Sequence, residues 1–406
     1  MRYWNLRRRH IGPIGLDIGH DSIKMLQLSG DGQRLSVHRM QKRRRPASND
    51  ELNERQDLIL TIRQMLEEGD FQGRRAALCV SNDKLKVTSV RLSEPDVMKT
   101  AAHVYKEAAF RFGLDPGRDS IQYIPAGTVR QGDQIRQEVI LFATDRQATE
   151  DGLAVLDALG LTAVGLEPVP CALARGFDRT LRRDEDRSET LIFLDVGSRF
   201  TTVVFSRRGE ICFVKVVPVG MERFDQAIAA QLGVDPIEAE TVRRNWHMEE
   251  AEDSIAGQSE TSDAGLKGDD PLCPSSHQRK PLDVSVCHML TDAVRGVADG
   301  LVREVSLCAR YYAVTFRGHR IERLIASGGG AYEPILLAML RTQIGVDVDR
   351  AKPFCDIGGC PGVWEDTSQE EACEWAVALG LSLKGWPVCQ GPLSSQIPRR
   401  YLVPAS

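Results

Sequence analysis

The chain is short of the features that mark several large functional classes. No stretch approaches the 18 or so consecutive apolar residues of a membrane-spanning helix. The first residues carry no apolar core of the kind a secretory signal needs, so export is not expected. Basic residues are not in surplus: 52 Lys and Arg stand against 57 Asp and Glu, a net charge of −5. That balance argues against a nucleic-acid partner, whose phosphates call for the opposite sign. The ten cysteines include no Cys-x-x-Cys pair, and no zinc-ligand spacing surrounds Cys355 and Cys360, the closest couple, so reduced cytosolic thiols are expected. No His-Glu-x-x-His, Gly-x-Ser-x-Gly or Walker A loop occurs, which removes zinc peptidases, serine hydrolases of that type and P-loop ATPases. What remains, 42% hydrophobic and 27% charged over 406 residues, suits a globular protein of two or three domains.

Against that background one pattern occurs twice. Ile14-Gly15-Leu16-Asp17-Ile18-Gly19-His20-Asp21-Ser22-Ile23-Lys24-Met25-Leu26-Gln27-Leu28 is an apolar strand, an Asp-Ile-Gly, a short polar turn and a second apolar strand. Leu191-Ile192-Phe193-Leu194-Asp195-Val196-Gly197-Ser198-Arg199-Phe200-Thr201-Thr202-Val203-Val204-Phe205 repeats that order at the head of the second half. Glycine lets the chain turn sharply and lets backbone N–H groups approach an anion, while the Asp at the strand end is free to face a cation. A third element, Arg323-Leu324-Ile325-Ala326-Ser327-Gly328-Gly329-Gly330-Ala331, is a strand running into a glycine turn where a flat base or ribose could come close.

Two hairpins and a glycine turn in this order resemble the actin-like ATPase superfamily, in which such hairpins clamp the phosphates of ATP. The fold expected from that resemblance is α/β and two-lobed, with duplicated ribonuclease-H-like cores and inserted α+β subdomains. Asp17 and Asp195 suit the water shell of Mg2+, a hard cation that takes few carboxylates and keeps several waters. Gly19, Ser22, Gly197, Ser198 and Thr201 would offer N–H and hydroxyl groups to phosphates. Lys24 either adds charge there or lies on a solvated strand face. The resemblance places Gly328, Gly329 and Gly330 against adenosine, and Glu240 and Arg243 at the ribose and adenine. It places Glu167 near a polar catalytic position, although that residue could equally cap a helix.

In chain order, 14–85 reads as the first half of a first core: strands, then Lys42-Arg43-Arg44-Arg45 as a solvated turn, a helix at 50–68 and a strand at 76–80. An inserted subdomain occupies 86–166, and 167–190 returns to the first core. A second core starts at 191–222. A second insert at 223–307 contains an acidic, apolar-poor stretch, 249–281, expected to be disordered. The second core resumes at 308–367, with a last strand at 345–348. A helix at 368–383 closes the chain, its segment 368–385 lying on the first core. Residues 1–13 carry Arg2, Arg7, Arg8 and Arg9 beside Tyr3 and Trp4; such a tail is either solvated or lies on an anionic membrane surface.

Gly15-Leu16-Asp17-Ile18-Gly19, Ser22-Ile23-Lys24, Pro218-Val219-Gly220, Ser327-Gly328-Gly329-Gly330 and Ala376-Val377-Ala378-Leu379-Gly380-Leu381-Ser382-Leu383 together resemble the type IV pilus assembly protein PilM family, which is close to the cell-division protein FtsA. That resemblance implies a cytoplasmic ATP-binding scaffold, peripheral to the inner membrane, docking on the cytoplasmic N-terminal tail of a PilN-like protein. The family's tail groove would fall within 86–166, where this chain has Tyr105-Lys106-Glu107-Ala108-Ala109-Phe110-Arg111-Phe112 in place of the usual pattern. ATP hydrolysis is expected to be slow at best. Two other readings stay open: a small-molecule kinase of the same fold, and a self-associating, filament-forming relative of FtsA.

Overall fold

The computed structural model describes residues 10–386 except 32–33, 48–50, 94–96, 114, 116–118, 179–188, 209, 247–282, 317–319 and 360–368. The N-terminal arginines and the acidic stretch 249–281 lie outside the described residues.

The first apolar run folds into β1 (His10–Ile18) and β2 (Ser22–Gly30), followed by β3 (Leu35–Arg44). Lys42, Arg43 and Arg44 therefore continue a strand and do not form a solvated turn. The apolar period of 50–68 becomes α1 (Glu51–Glu68), which leads to β4 (Arg75–Val80). Next come β5 (Lys86–Leu92), α2 (Val97–Phe112), β6 (Ser120–Gln131) and β7 (Gln134–Thr144). Then α3 (Arg146–Ala158), capped by the Asp145 carboxylate at Ala148 N–H, runs into β8 (Thr162–Pro168) and α4 (Val169–Asp178).

The second half begins with β9 (Thr190–Val196), β10 (Thr201–Arg207) and β11 (Glu210–Val217). α5 (Met221–Leu232) starts after Gly220 and ends at left-handed Gly233, and α6 spans 236–246. α7 (Val284–Thr315), β12 (Arg323–Ser327), α8 (Pro334–Ile344) and β13 (Asp347–Arg350) follow. α7 is continuous, so a domain limit at 307 would cut a helix. The closing segment is a 3-10 turn, Gln369–Trp375, before the short α9 (Ala376–Ser382), and not one long helix.

Both halves build the same sheet. The orders are β3-β2-β1-β4-β8 and β11-β10-β9-β12-β13, antiparallel over the first three strands and parallel over the last two. Both faces of each sheet are covered, which is why its central strands read as nearly unbroken apolar runs: Leu191 to Leu194 are all buried. We call the two halves lobe one and lobe two. The helices that end each half, α4 and α9, lie against each other, and α9 also covers β1 and β2. This approach is close enough to require glycine, since a Cβ on Gly380 would fall 1.7 Å from the Ala172 carbonyl oxygen.

A third sheet, β5-β7-β6, is the insert proper. One face packs under α2 through Val104 and Ala108; the other joins the main core, where the sheet meets β11. β8 pairs with β4 and α3 packs on both strands, so residues 145–166, grouped with the insert on sequence, belong to lobe one.

Candidate functional site

The two Asp-x-Gly turns close in the same way. Gly19 N–H donates to the Ser22 carbonyl at 3.0 Å, and Gly197 N–H donates to the Phe200 carbonyl at 2.9 Å. These glycine amides hold the turns shut and are not offered outward. The turns meet tip to tip across the lobes, with the His20 and Phe200 rings 5.4 Å apart. Burial lowers the His20 pKa, against the pull of Asp83, whose carboxylate lies 3.7 Å away.

Behind the tips the two carboxylates come close enough for the charge of Asp17 to act on Asp195. Asp17 ends β1 opposite Lys24 on β2; Asp195 ends β9 opposite Thr202 on β10 and Ser327 on β12. Burial raises the pKa of Asp17, with Lys24 opposing and Glu374 adding to the rise. Burial also raises Asp195, to about 6, reinforced by the negative charge of Asp17 and opposed by the Ser327 hydroxyl, which donates to its Oδ1 at 3.0 Å. Lys24 reaches the pair from below: its ammonium donates to Ser22 Oγ at 3.1 Å and lies 3.8 Å from Glu374. Glu374 is gripped more closely by Lys42, at 2.6 Å.

The glycine turn seals this floor. Gly328 has φ +78° and ψ 178°, a conformation that only glycine adopts without strain. A Cβ there would lie 2.5 Å from the Val196 carbonyl oxygen and 2.9 Å from Asp195 Oδ1. Gly329 has open space above it, while Gly330 lies against Val196 and Met221.

Other residues named from the sequence have different employment. Thr201 donates its hydroxyl to the Val219 carbonyl at 2.7 Å, and the Ser198 carbonyl accepts the Glu222 amide at the start of α5. Arg243 is held in a buried pair with Asp225, Nε to Oδ1 at 2.8 Å. Glu240 bridges the lobes, 2.8 Å from Arg44 of β3, and also pairs with Arg244. Glu167 is the clearest correction. It is fully buried, with Arg175 donating to Oε2 at 2.7 Å and Lys384 donating to Oε1. Burial raises its pKa, but the two cations outweigh that and hold it low. A carboxylate engaged on both oxygens cannot orient a water, so the catalytic role expected of it fails.

Sequence reasoning missed Ser327 and Glu374. Ser327 stands directly before the glycines and was open to discovery, since a strand-end hydroxyl beside an adenosine-type turn must face its neighbour's strand end. Glu374 carries no spacing signal. It comes from a 3-10 turn more than 170 residues past Asp195, and only the packing of α9 on β1 and β2 brings it in.

A duplicated five-stranded sheet with an acidic hairpin at the head of each half, the two hairpins meeting at their tips, defines an actin-like two-lobed protein. Within that class the sequence profile described as type IV pilus assembly protein PilM matches residues 15–254, more than half of the chain. The chain belongs to this family. Among solved structures it is similar to a PilM–PilN type IV pilus biogenesis complex, with 22% identity, 92% of this chain and 98% of that chain covered, and a TM-score of 0.70. It is also similar to ethanolamine utilization protein EutJ from Carboxydothermus hydrogenoformans, with 16% identity, 93% and 90% covered, and a TM-score of 0.50.

Proposed function

We propose that this chain is a nucleotide-gated scaffold of a type IV pilus or related assembly platform. Mg-ATP would bind between the lobes, and the insert would dock on the cytoplasmic tail of a PilN-like inner-membrane protein. The observation that carries the reading is the pair Asp17 and Asp195, one from each lobe, each pushed toward its protonated form by burial, with the negative charge of Asp17 repelling that of Asp195. A hydrated divalent cation between them would relieve that repulsion. Phosphates would then meet the amides at the turn tips, residues 20–21 and 198–199, and not those of Gly19 and Gly197. The sequestered Glu167 supports binding as the principal task, with slow hydrolysis at most. Among the described residues no helix is long and apolar enough to cross a membrane, which agrees with a role peripheral to the membrane.

Thermal unfolding with and without Mg-ATP tests the cleft. At a hundredfold excess over Kd the ligand should stabilise the protein by about 2.7 kcal/mol. Asp17→Ala should abolish that shift, and an unmoved wild-type melt would reject the reading.

The tail site has its own marker. On α2, Val104 and Ala108 are buried against the insert's sheet, whereas Phe110 is 88% exposed and Tyr105 is half-exposed. An outward phenylalanine of this kind suits the apolar side of a bound peptide. Phe110→Ser should weaken capture of a PilN-like tail peptide about tenfold, the scale of one lost aromatic anchor, with the melting temperature unchanged. Equal binding by the variant would place the groove elsewhere.

A further inference from the structure

Lobe one sends a second polar side chain into the cleft, from a turn that neither the hairpins nor the glycine motif includes. β4 ends at Val80, and the chain turns back through Ser81 to Lys84, closed by the Lys84 N–H donating to the Ser81 carbonyl at 3.1 Å. Asp83 of this turn sits by His20 at the tip of the first hairpin. Asn82 crosses to lobe two, where its Nδ2 donates to Thr202 Oγ1 at 3.1 Å. Thr202 is fully buried and is the direct cross-strand partner of Asp195, so the two side chains share a face, with Cβ atoms about 4.5–5.5 Å apart. The Asn82 amide thus lies one side chain away from the Asp195 carboxylate.

The other end of that amide is unused. Asn82 Oδ1 is shielded from solvent and accepts no hydrogen bond from any of the described residues. Such an orphaned acceptor is costly, and folded proteins rarely leave one unless something else satisfies it. A phosphate cannot, because its oxygens are acceptors too. The water shell of a divalent cation can: magnesium retains several of its waters, and each presents polarised donors. Among the described residues no group of three or more His, Cys, Asp or Glu side chains forms a metal cage, so a cation here would take its ligands from the nucleotide's phosphates and from waters that the protein holds.

We propose that Asn82 is a positioning residue of the cleft, its Oδ1 accepting from the water shell of the cation that accompanies the nucleotide. This rests on the nucleotide reading above and adds a third acceptor to Asp17 and Asp195. The test compares ATP affinity in Mg2+ and in EDTA, by calorimetry on the full chain, for wild type, Asn82→Ala and Asn82→Asp. Wild type should bind more tightly in Mg2+. Asn82→Ala should lose about tenfold in Mg2+, the scale of one hydrogen bond to a charged shell, while staying within about twofold in EDTA. Asn82→Asp, which offers only acceptors, should keep or increase the preference for Mg2+. Equal weakening of Asn82→Ala in both buffers would make the residue a lobe-closing contact and overturn the proposal. A loss in Asn82→Asp as large as in Asn82→Ala would overturn it as well, since the nitrogen would then face the ligand. Should Asn82→Ala not fold, Asn82→Asp decides alone. A wild type that binds ATP in neither buffer sinks the nucleotide reading itself, before either variant is compared.

Discussion

Glu167→Ala is expected to destabilise the protein by about 3–5 kcal/mol, the range for breaking a buried ion pair from one side. Two cations depend on this carboxylate. Arg175 and Lys384 are both nearly inaccessible, and Arg175 also donates to the Gly380 carbonyl at 3.1 Å. Removing the anion takes the compensating negative charge from both in a low-dielectric site, where each retains a large desolvation cost. The triad also joins distant parts of the chain: β8 supplies Glu167, α4 supplies Arg175, and Lys384 follows α9. The loss should therefore loosen the α4–α9 contact on which both lobes converge. Glu167→Gln should fall between wild type and Glu167→Ala, because a neutral amide still accepts from one cation. Chemical denaturation measures this directly. A catalytic Glu167 would behave in the opposite way, with Glu167→Gln keeping full stability and losing turnover.

The contrast between Glu167 and Asp17 shows where sequence reading ends. Asp17 and Asp195 were legible because a repeated strand-turn-strand pattern fixes their places: each ends the central strand of its sheet, and topology does the rest. The duplicated sheets followed for the same reason, since period-2 and period-3.6 apolar patterns are local. α5 and α8, Met221–Leu232 and Pro334–Ile344, have bounds that are legible in the sequence, where glycine and proline punctuate both ends. Side-chain employment is not local. Whether Arg243 meets a base or Asp225, and whether Glu167 meets water or Lys384, depends on partners 18 and 217 residues away. β8 was misassigned to the insert on similar grounds, because a strand's sequence does not say which of two sheets will accept it. The basic run at 42–45 misled by composition: it looks solvated, yet its charges are matched by Glu374, Glu68, Glu240 and Glu54 from three separate elements.

Asp195→Asn is expected to raise stability in the absence of nucleotide, with a pH dependence that identifies the cause. The carboxylate has a pKa of about 6 in the folded protein against 3.8 for an ordinary aspartate. Between those values the folded state binds more protons than the unfolded state, so wild-type stability falls as pH rises from about 4 to about 6 and is flat above. Asparagine has no proton to lose and can still accept from Ser327, so it removes this fall without removing the bond. Near pH 7.5 the variant should be more stable by about 1–3 kcal/mol, with the upper figure reduced because the carboxylate is partly open to solvent. Near pH 4 the difference should vanish. Mg-ATP should reverse the ranking, since a cation stabilises the ionised carboxylate and gains little from an amide; the wild type should then gain its ligand-induced shift and the variant should not. The same linkage makes Mg-ATP affinity rise with pH across this window more steeply in wild type than in the variant, as the Asp195 proton that competes with the cation departs. Melting curves from pH 4 to 8 with and without Mg-ATP contain the whole test. A variant less stable than wild type at pH 7.5 without ligand would show that Asp195 is held for the fold's sake, and that its strain serves no bound cation.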